Sequence, residues 1–136
     1  MLDLSNPEIE EAWQDVSSDL SETDWVAYSL TGDMKSLKVV DTGDDGIEGL
    51  LDEVNDSKIM FFYARVLMDD GRPKFVYISW CGPSAPEKAK GKVPELDSQM
   101  AAFMEPFHTK IMARDEDGIE EDAIKALLVR GGGAKY

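Results

Sequence analysis

The chain has 136 residues, and its 28 acidic and 14 basic side chains give a net charge of −14 at pH 7. This length predicts one domain, and a hydrophobic content of 43% is enough to fill one core. So acidic a chain is a poor match for nucleic acid or anionic membranes, because both are bound mainly by neutralising phosphate charge.

The N-terminal part of the sequence predicts a helix, a strand hairpin and a second, short helix. Asn6 and Pro7 are typical of the start of a helix. The apolar stripe of this helix, at spacings of three and four, comprises Ile9, Trp13, Val16 and Leu20. Strands are predicted at 25–30 and 37–40, around the turn 31–33. The short helix that follows is expected to bury Ile47, Leu50, Leu51 and Val54.

Two almost continuous apolar runs in the middle of the chain predict central strands. They cover 59–68 and 75–80 and are joined by the turn 69–73. A strand without a polar face needs cover on both sides, so we expect helices on both faces of the sheet. The turn should project Arg72 and Lys74 at one end of the sheet.

A proline-rich break at 82–86 precedes a helix that we predict over 87–104. Pro94 should kink or divide this helix, because proline lacks a backbone N–H and its ring clashes with the preceding turn. The alternation at 107–112 then predicts a strand with one solvent-exposed face.

The last predicted helix covers 119–129. Its apolar positions are Ala123, Leu127 and Leu128. The glycine-rich tail 131–136 is expected to end the helix and to be flexible. The element order α-β-β-α-β-β-α-β-α therefore predicts an α/β (α+β) fold. We expect a single domain over 1–136, with a central mixed β-sheet between helices on both faces.

Few residues in the chain are suited to catalysis or metal binding. Cys81 is the only cysteine, which excludes an internal disulfide. His108 is the only histidine, so a Cys/His nucleophile pair would require these two residues to meet. The segment 41–52 resembles a calcium-binding loop, but Gly43 occupies a ligand position and Glu48 an apolar one. We therefore predict no enzyme, no catalytic residue, no metal and no cofactor. A small acidic hydrolase is a remote alternative, since the many carboxylates offer acid–base pairs.

The sequence also favours a cytoplasmic location. A single cysteine fits a reducing compartment. The N-terminus lacks a basic stretch followed by an apolar run, and no segment has the ~18 uninterrupted apolar residues of a membrane span.

Positive charge is concentrated in one part of this acidic chain, between residues 72 and 92. That stretch contains one acidic and five basic side chains, whereas the rest of the chain has 27 acidic and nine basic ones. Such a stretch is a candidate docking surface for an acidic partner, although lysines also simply solubilise loops. Its basic residues are Arg72, Lys74, Lys88, Lys90 and Lys92.

Two long motifs and a hairpin strand together resemble the actin-depolymerising-factor homology family. The motifs are the strand 74–82 with the following 83–86, and the segment 113–121; the strand 24–28 and the ending 131–136 also fit. They are similar to the branch that contains coactosin and the actin-binding domains of drebrin and the actin-binding-protein-1 group, and most like a coactosin. We interpret the chain as a complete small protein of this type, although an excised domain would look the same.

The resemblance implies a monomeric, non-catalytic actin-binding protein. Members of this branch favour the side of the actin filament over monomers, usually without severing it. The alternatives are binding of monomeric actin, or of actin-related proteins in a branch-nucleating complex. By resemblance, Lys74 is the first choice of functional residue. The three implied contact regions are Arg72 and Lys74; Lys88, Lys90 and Lys92; and Asp115, Glu116 and Asp117.

Overall fold

The computed structural model describes residues 2–18 and 20–132 of the chain. The strands within these ranges are β1 (Trp25–Leu30), β2 (Leu37–Gly43), β3 (Ile59–Leu67), β4 (Pro73–Cys81) and β5 (Thr109–Ala113). They form one sheet in the order β2-β1-β3-β4-β5. Neighbouring strands are antiparallel except β4 and β5, which are parallel. The predicted mixed sheet is therefore confirmed.

Helices flank this sheet on both sides. In the described ranges they are α1 (Pro7–Ser17), α2 (Gly46–Leu51), α3 (Glu87–Lys90), α4 (Val93–Phe103), α5 (Glu121–Gly132) and a short 3-10 helix at Glu116–Ile119. One face packs against α1, α3 and α4. The other face packs against α2, α5 and the 3-10 helix. The predicted α/β (α+β) class, with helices on both faces, is confirmed.

The central strand β3 separates two hydrophobic clusters. Phe61 and Tyr63 belong to the cluster on the α1 and α4 side, and Phe62 and Ala64 to the cluster on the α2 and α5 side. Each of these four side chains is at most 1% exposed. Burial of a large apolar side chain contributes about 1.5–3 kcal/mol. The sheet is therefore held from both faces, as the apolar runs predict.

The strand β2 extends further than the predicted 37–40, to Gly43. Gly43 pairs with Trp25, and a Cβ atom there would lie 2.4 Å from the Trp25 ring, so only glycine fits. The indole N–H of Trp25 donates a hydrogen bond to the carboxylate of Asp45 at 2.8 Å. The acidic segment 41–52 thus helps to position a core tryptophan.

The prediction that Leu20 extends the apolar stripe of α1 is wrong, since Leu20 is 98% exposed. The helix ends at Ser17, and Ser18 has an extended backbone (φ −84°, ψ 129°). The helical periodicity therefore stops before Leu20. Arg65, on β3, holds the extended segment that follows α1.

The guanidinium group of Arg65 binds the chain after α1 through three hydrogen bonds. Nη1 donates to the carbonyl oxygens of Val16 and Ser18 at 2.7 Å, and Nη2 donates to that of Ser21 at 2.8 Å. We expect Arg65→Ala to lower the free energy of unfolding by about 2 kcal/mol, because three carbonyls lose a charged donor. Urea unfolding measures this loss, and Arg65→Lys should recover only part of it. A loss below about 0.5 kcal/mol, typical of an ordinary surface position, would contradict the assigned role.

The prediction that Pro94 divides the helix over 87–104 is confirmed. The segment forms two helices, α3 and α4, and Pro94 lies in the first turn of α4, where a missing N–H costs no helical hydrogen bond. The strand predicted at 107–112 begins two residues later, and Ile111 is buried between exposed neighbours as expected.

The C-terminal helix differs from the prediction of 119–129 at both ends. It begins after the 3-10 helix and continues through Gly131, since glycine weakens a helix without forbidding it. Its buried residues include Ile124, which the prediction omitted, and Leu128. Two predicted apolar positions are only half-buried, Ala123 and Leu127. The rest of the predicted flexible tail, 133–136, lies outside the described residues.

One charged residue, Asp97 of α4, is buried among apolar neighbours at 5% exposure. Its carboxylate accepts a hydrogen bond from the hydroxyl of Tyr77 at 2.8 Å and forms an ion pair with Lys110 of β5. Burial, followed by the nearby carboxylate, raises the pKa of Tyr77. This network links α4 to β4 and β5.

Candidate functional site

The predicted site residues lie in two groups at opposite ends of β4. The hairpin end comprises Arg72 and Lys74, at the start of β4, together with the part of α5 around Leu128. The helix end comprises the predicted residues that follow β4 and β5, namely Lys88, Lys90, Lys92, Asp115, Glu116 and Asp117. Nine residues of β4 separate the two ends by about 27 Å, at roughly 3.4 Å per residue. The positive stretch that is continuous in sequence is therefore divided in space.

At the hairpin end, Lys74 is half-buried and Arg72 is exposed in the turn. The ammonium group of Lys74 donates a hydrogen bond to the carbonyl oxygen of Leu128 at 3.3 Å. Leu128 lies one turn before the end of α5, where the partial negative charge of the helix C-terminus favours a nearby cation. Lys74 is thus a surface cation and also a link between the sheet and α5.

Two large apolar side chains are exposed on elements that reach the hairpin end. Leu67 is 66% exposed at the end of β3, where it pairs with Pro73, and Val129 is 63% exposed next to Leu128. Neither was predicted as a site residue, and Leu67 lies in the apolar run 59–68 that was predicted to be buried throughout. The position of Leu67 directly before the turn is the signal that could have found it.

At the helix end, a groove of about 610 Å³ lies between the start of α4 and the end of β5. We call it the helix-end groove. Val93, Pro94 and Met112 line it, and Lys90 and Arg114 supply positive charge. Lys90 is held by a 2.7 Å hydrogen bond to the carbonyl of Pro83 and by an ion pair with Glu87. Arg114 lies in the 113–121 motif but was not selected from the sequence.

The remaining predicted residues of the helix end are exposed, and they differ in their contacts and positions. Asp115 accepts a hydrogen bond from the backbone N–H of Asp117 at 3.1 Å and so caps the 3-10 helix. Lys92 precedes α4. Lys88 lines a different groove from Lys90. The structure thus brings Lys90 close to the 113–121 motif and directs Lys88 elsewhere.

Residues 1–128 match the family described as cofilin/tropomyosin-type actin-binding protein. The chain belongs to this family. The predicted resemblance to the actin-depolymerising-factor homology proteins is confirmed.

Individual relatives of this cofilin-type chain agree with the family match. Mouse drebrin-like protein is 34% identical over 136 residues, which cover 99% of the chain and 31% of that protein. The chain thus spans about a third of the length of this relative. Coactosin of Dictyostelium discoideum is 27% identical over 140 residues, covering 100% of the chain and 95% of that protein.

A solved structure also agrees with the cofilin-type fold. The solution structure of mouse coactosin, described as an actin filament binding protein, superposes with a TM-score of 0.77 at 25% identity. The match covers 93% of this chain and 89% of that one. It confirms the predicted similarity to coactosin.

The histidine of this cofilin-type chain lies close to the hairpin end. His108 Nδ1 accepts a hydrogen bond from the backbone N–H of Phe75 at 2.9 Å, and the rings of the two residues stack at 6.1 Å. A nitrogen that accepts this bond carries no proton. Burial, and then the charge of Lys74, lower the pKa of His108.

We expect the free energy of unfolding to fall as the pH drops below about 6.5, the usual pKa of histidine. Below that pH, His108 takes up a proton in the unfolded chain more readily than in the folded chain, because its pKa is lowered on folding. The free energy of unfolding therefore decreases as the pH falls from about 6.5 to the lowered pKa of the folded chain. Urea unfolding at pH about 7.5 and about 5.5 measures the change, with His108→Gln as control. An equal fall in the Gln variant would assign the effect to other groups.

The alternatives based on catalysis gain no support from the geometry. Cys81 lies at the helix end and His108 near the start of β4, so they cannot form a nucleophile pair. In the part of the chain that the structure describes, no three His, Cys, Asp or Glu residues are grouped to hold a metal. Among residues 2–18 and 20–132, no helix has the length and apolar content needed to cross a membrane.

Proposed function

We propose that this chain binds the side of actin filaments and modulates their dynamics, without severing them and without catalysis. The observation that carries the proposal is the hairpin end, where Arg72 and Lys74 share one end of the sheet with the exposed Leu67, and where Lys74 bonds Leu128 beside the exposed Val129. Exposed apolar side chains together with basic ones are typical of a protein interface. Membership of an actin-binding family supports the assignment to actin.

The distribution of charge also supports binding through the basic residues of 72–92. Actin presents an acidic surface, and outside residues 72–92 the chain has three times as many acidic as basic side chains. Docking by a surface made of the acidic side chains that dominate the rest of the chain would be opposed by like charge. Because the cations are exposed, we expect weak to moderate affinity that falls as the salt concentration rises.

The helix end is the second proposed contact, through Lys88, Lys90 and Lys92 and the acidic segment Asp115, Glu116 and Asp117. One alternative is the binding of monomeric actin, for which the apolar lining of the helix-end groove could receive a partner side chain. Actin-related proteins of a branch-nucleating complex are a further possible partner for the same surface. We propose a monomeric protein of the cytoplasmic actin cytoskeleton.

Co-sedimentation with actin filaments at low and at physiological ionic strength tests the proposal. We expect the chain to pellet with filaments more strongly at low salt, without loss of filaments from the pellet. A native gel with monomeric actin, and a pull-down of the branch-nucleating complex, test the alternatives. No pelleting at low salt would overturn the filament proposal.

A further inference from the structure

A second groove, separate from the helix-end groove, lies between α3 and the β1–β2 hairpin. Its volume is about 540 Å³, within the roughly 300–1,000 Å³ of typical ligand clefts. Its apolar lining includes Leu30, Met34, Ile59 and Ala89. We call it the lysine groove, because its charged residues are Lys38, Lys58 and Lys88.

The three lysines come from separate elements and have no acidic residue beside them in the lining of this groove. Lys38 lies on β2, Lys58 precedes β3 and Lys88 lies on α3, and all are exposed. The ion pairs among the described residues involve other lysines, Lys90 and Lys110. No acidic residue lines the groove. A cleft lined by charge of one sign concentrates its field on a ligand of the opposite sign.

Three acidic side chains lie near the groove without lining it: Asp33, Glu87 and Glu53, the last in an adjoining cleft that Lys38 and Lys58 also line. Asp33, in the β1–β2 turn, accepts hydrogen bonds from the hydroxyl of Thr31 at 2.6 Å and from the backbone N–H of Lys35 at 3.0 Å. Glu87 is paired with Lys90. These carboxylates offset the positive charge of the lysine groove only in part, since Asp33 also lies near Lys35 and Glu87 is paired with Lys90.

The backbone of Met34 adds an independent observation. Its φ of +61° lies in the left-handed region, which costs a residue other than glycine about 1–2 kcal/mol. Hydrogen bonds hold the turn in this form, including one of 2.9 Å from the Met34 N–H to the carbonyl of Thr31. Such outliers concentrate at ligand-binding sites, and the flexible thioether of methionine adapts to varied apolar partners.

We propose that the lysine groove binds an acidic peptide segment of a partner protein. An apolar side chain of the peptide packs on Met34 and Ala89, and flanking carboxylates pair with Lys38, Lys58 and Lys88. The apolar lining favours a peptide over free phosphate, and the net charge of −14 opposes approach to an anionic membrane. The site goes beyond the proposed function, because two of its three lysines, Lys38 and Lys58, are not part of the proposed actin surface, whereas Lys88 belongs to both.

The test is fluorescence anisotropy of a labelled peptide added to the full chain. The peptide has Asp and Glu residues around a central Leu-Phe pair. In the first matched probe, Asn and Gln replace the Asp and Glu residues. In the second, Ser residues replace the Leu-Phe pair. We expect saturable binding of the acidic peptide, weaker at higher salt, and at least fivefold weaker binding of either matched probe.

Variants assign the binding to the groove. Lys38→Glu and Lys58→Glu should each weaken peptide binding by about fivefold. Lys125→Glu, which makes the same charge change on α5 across the sheet, should change it less than twofold. Circular dichroism checks that each variant is folded, and actin pelleting should be unaffected by Lys38→Glu and Lys58→Glu.

Three results would overturn the proposal. The first is equal binding of the acidic and neutral peptides, or no saturable binding. The second is loss of filament pelleting in Lys38→Glu, which would make the groove part of the actin surface. The third is lysine-dependent binding of phosphatidylserine vesicles without peptide binding. Because the peptide assay contains no actin, its outcome is independent of whether the proposed function holds.

Discussion

The variant Lys74→Glu should bind actin filaments at least tenfold more weakly than the unmodified chain. The change removes the cation that we place at the centre of the hairpin end and puts a negative charge opposite an acidic partner. Loss of one charged partner from an interface costs about 2–5 kcal/mol when the pair is desolvated, and tenfold corresponds to about 1.4 kcal/mol. Co-sedimentation isotherms at constant ionic strength measure the change.

A structural effect of Lys74→Glu has to be separated from the binding effect. A carboxylate beside the carbonyl of Leu128 is unfavourable at a helix C-terminus, so we expect stability to fall by about 1 kcal/mol or less. The pKa of His108 should rise, because one cause of its lowering is reversed. NMR titration detects this rise locally. Lys35→Glu, in the β1–β2 turn, provides a charge-matched control that should pellet normally.

A Lys74→Glu variant that is folded and binds filaments as well as the unmodified chain would remove the hairpin end from the proposed surface. The helix end would then be the next candidate, with Lys90→Glu and Arg114→Glu as the variants to compare. If Lys74→Arg retains binding while Lys74→Glu loses it, positive charge at this position is the property that matters.

The second large effect is on stability. The variant Asp97→Ala should lower the free energy of unfolding by about 3 kcal/mol, because it leaves the buried hydroxyl of Tyr77 and the ammonium group of Lys110 without their partner. In a chain of this size we expect a fall in melting temperature of roughly 10 °C. Asp97→Asn should cost less, since an amide oxygen still accepts the Tyr77 hydrogen bond.

Thermal melting and urea unfolding of the Asp97 variants provide the measurement. Asp44→Ala is a suitable control, because Asp44 is exposed and such changes usually stay within about 0.5 kcal/mol. If Asp97→Ala lowers the free energy of unfolding by less than about 1 kcal/mol, the hydrogen bond to Tyr77 and the ion pair with Lys110 contribute little to stability.

The parts of the fold that the sequence predicted correctly are those set by local pattern. Continuous apolar runs required cover on both faces of the sheet, and Pro94 divided the long helix because a proline is tolerated in the first turn of a helix and not inside it. The errors arose where tertiary contacts decide the outcome. Arg65 stabilises the exit from α1 before Leu20, and no periodicity in 7–20 records that contact.

The candidate site was only partly predictable for the same reason. Arg72 and Lys90 are close in sequence, but β4 lies between them and places them at opposite ends of the sheet. The lysine groove has the opposite property. Lys38, Lys58 and Lys88 are distant in sequence, and only the strand order places them around one cleft.

The separation of the core into two clusters has a consequence for combining substitutions. Residues such as Leu128 and Met100 pack on opposite faces of the sheet and belong to different clusters. Energetic changes at distant sites without shared neighbours add within about 0.5 kcal/mol. Cavities introduced on the two sides should therefore behave as independent perturbations, and double-mutant cycles across the sheet should give coupling energies near zero.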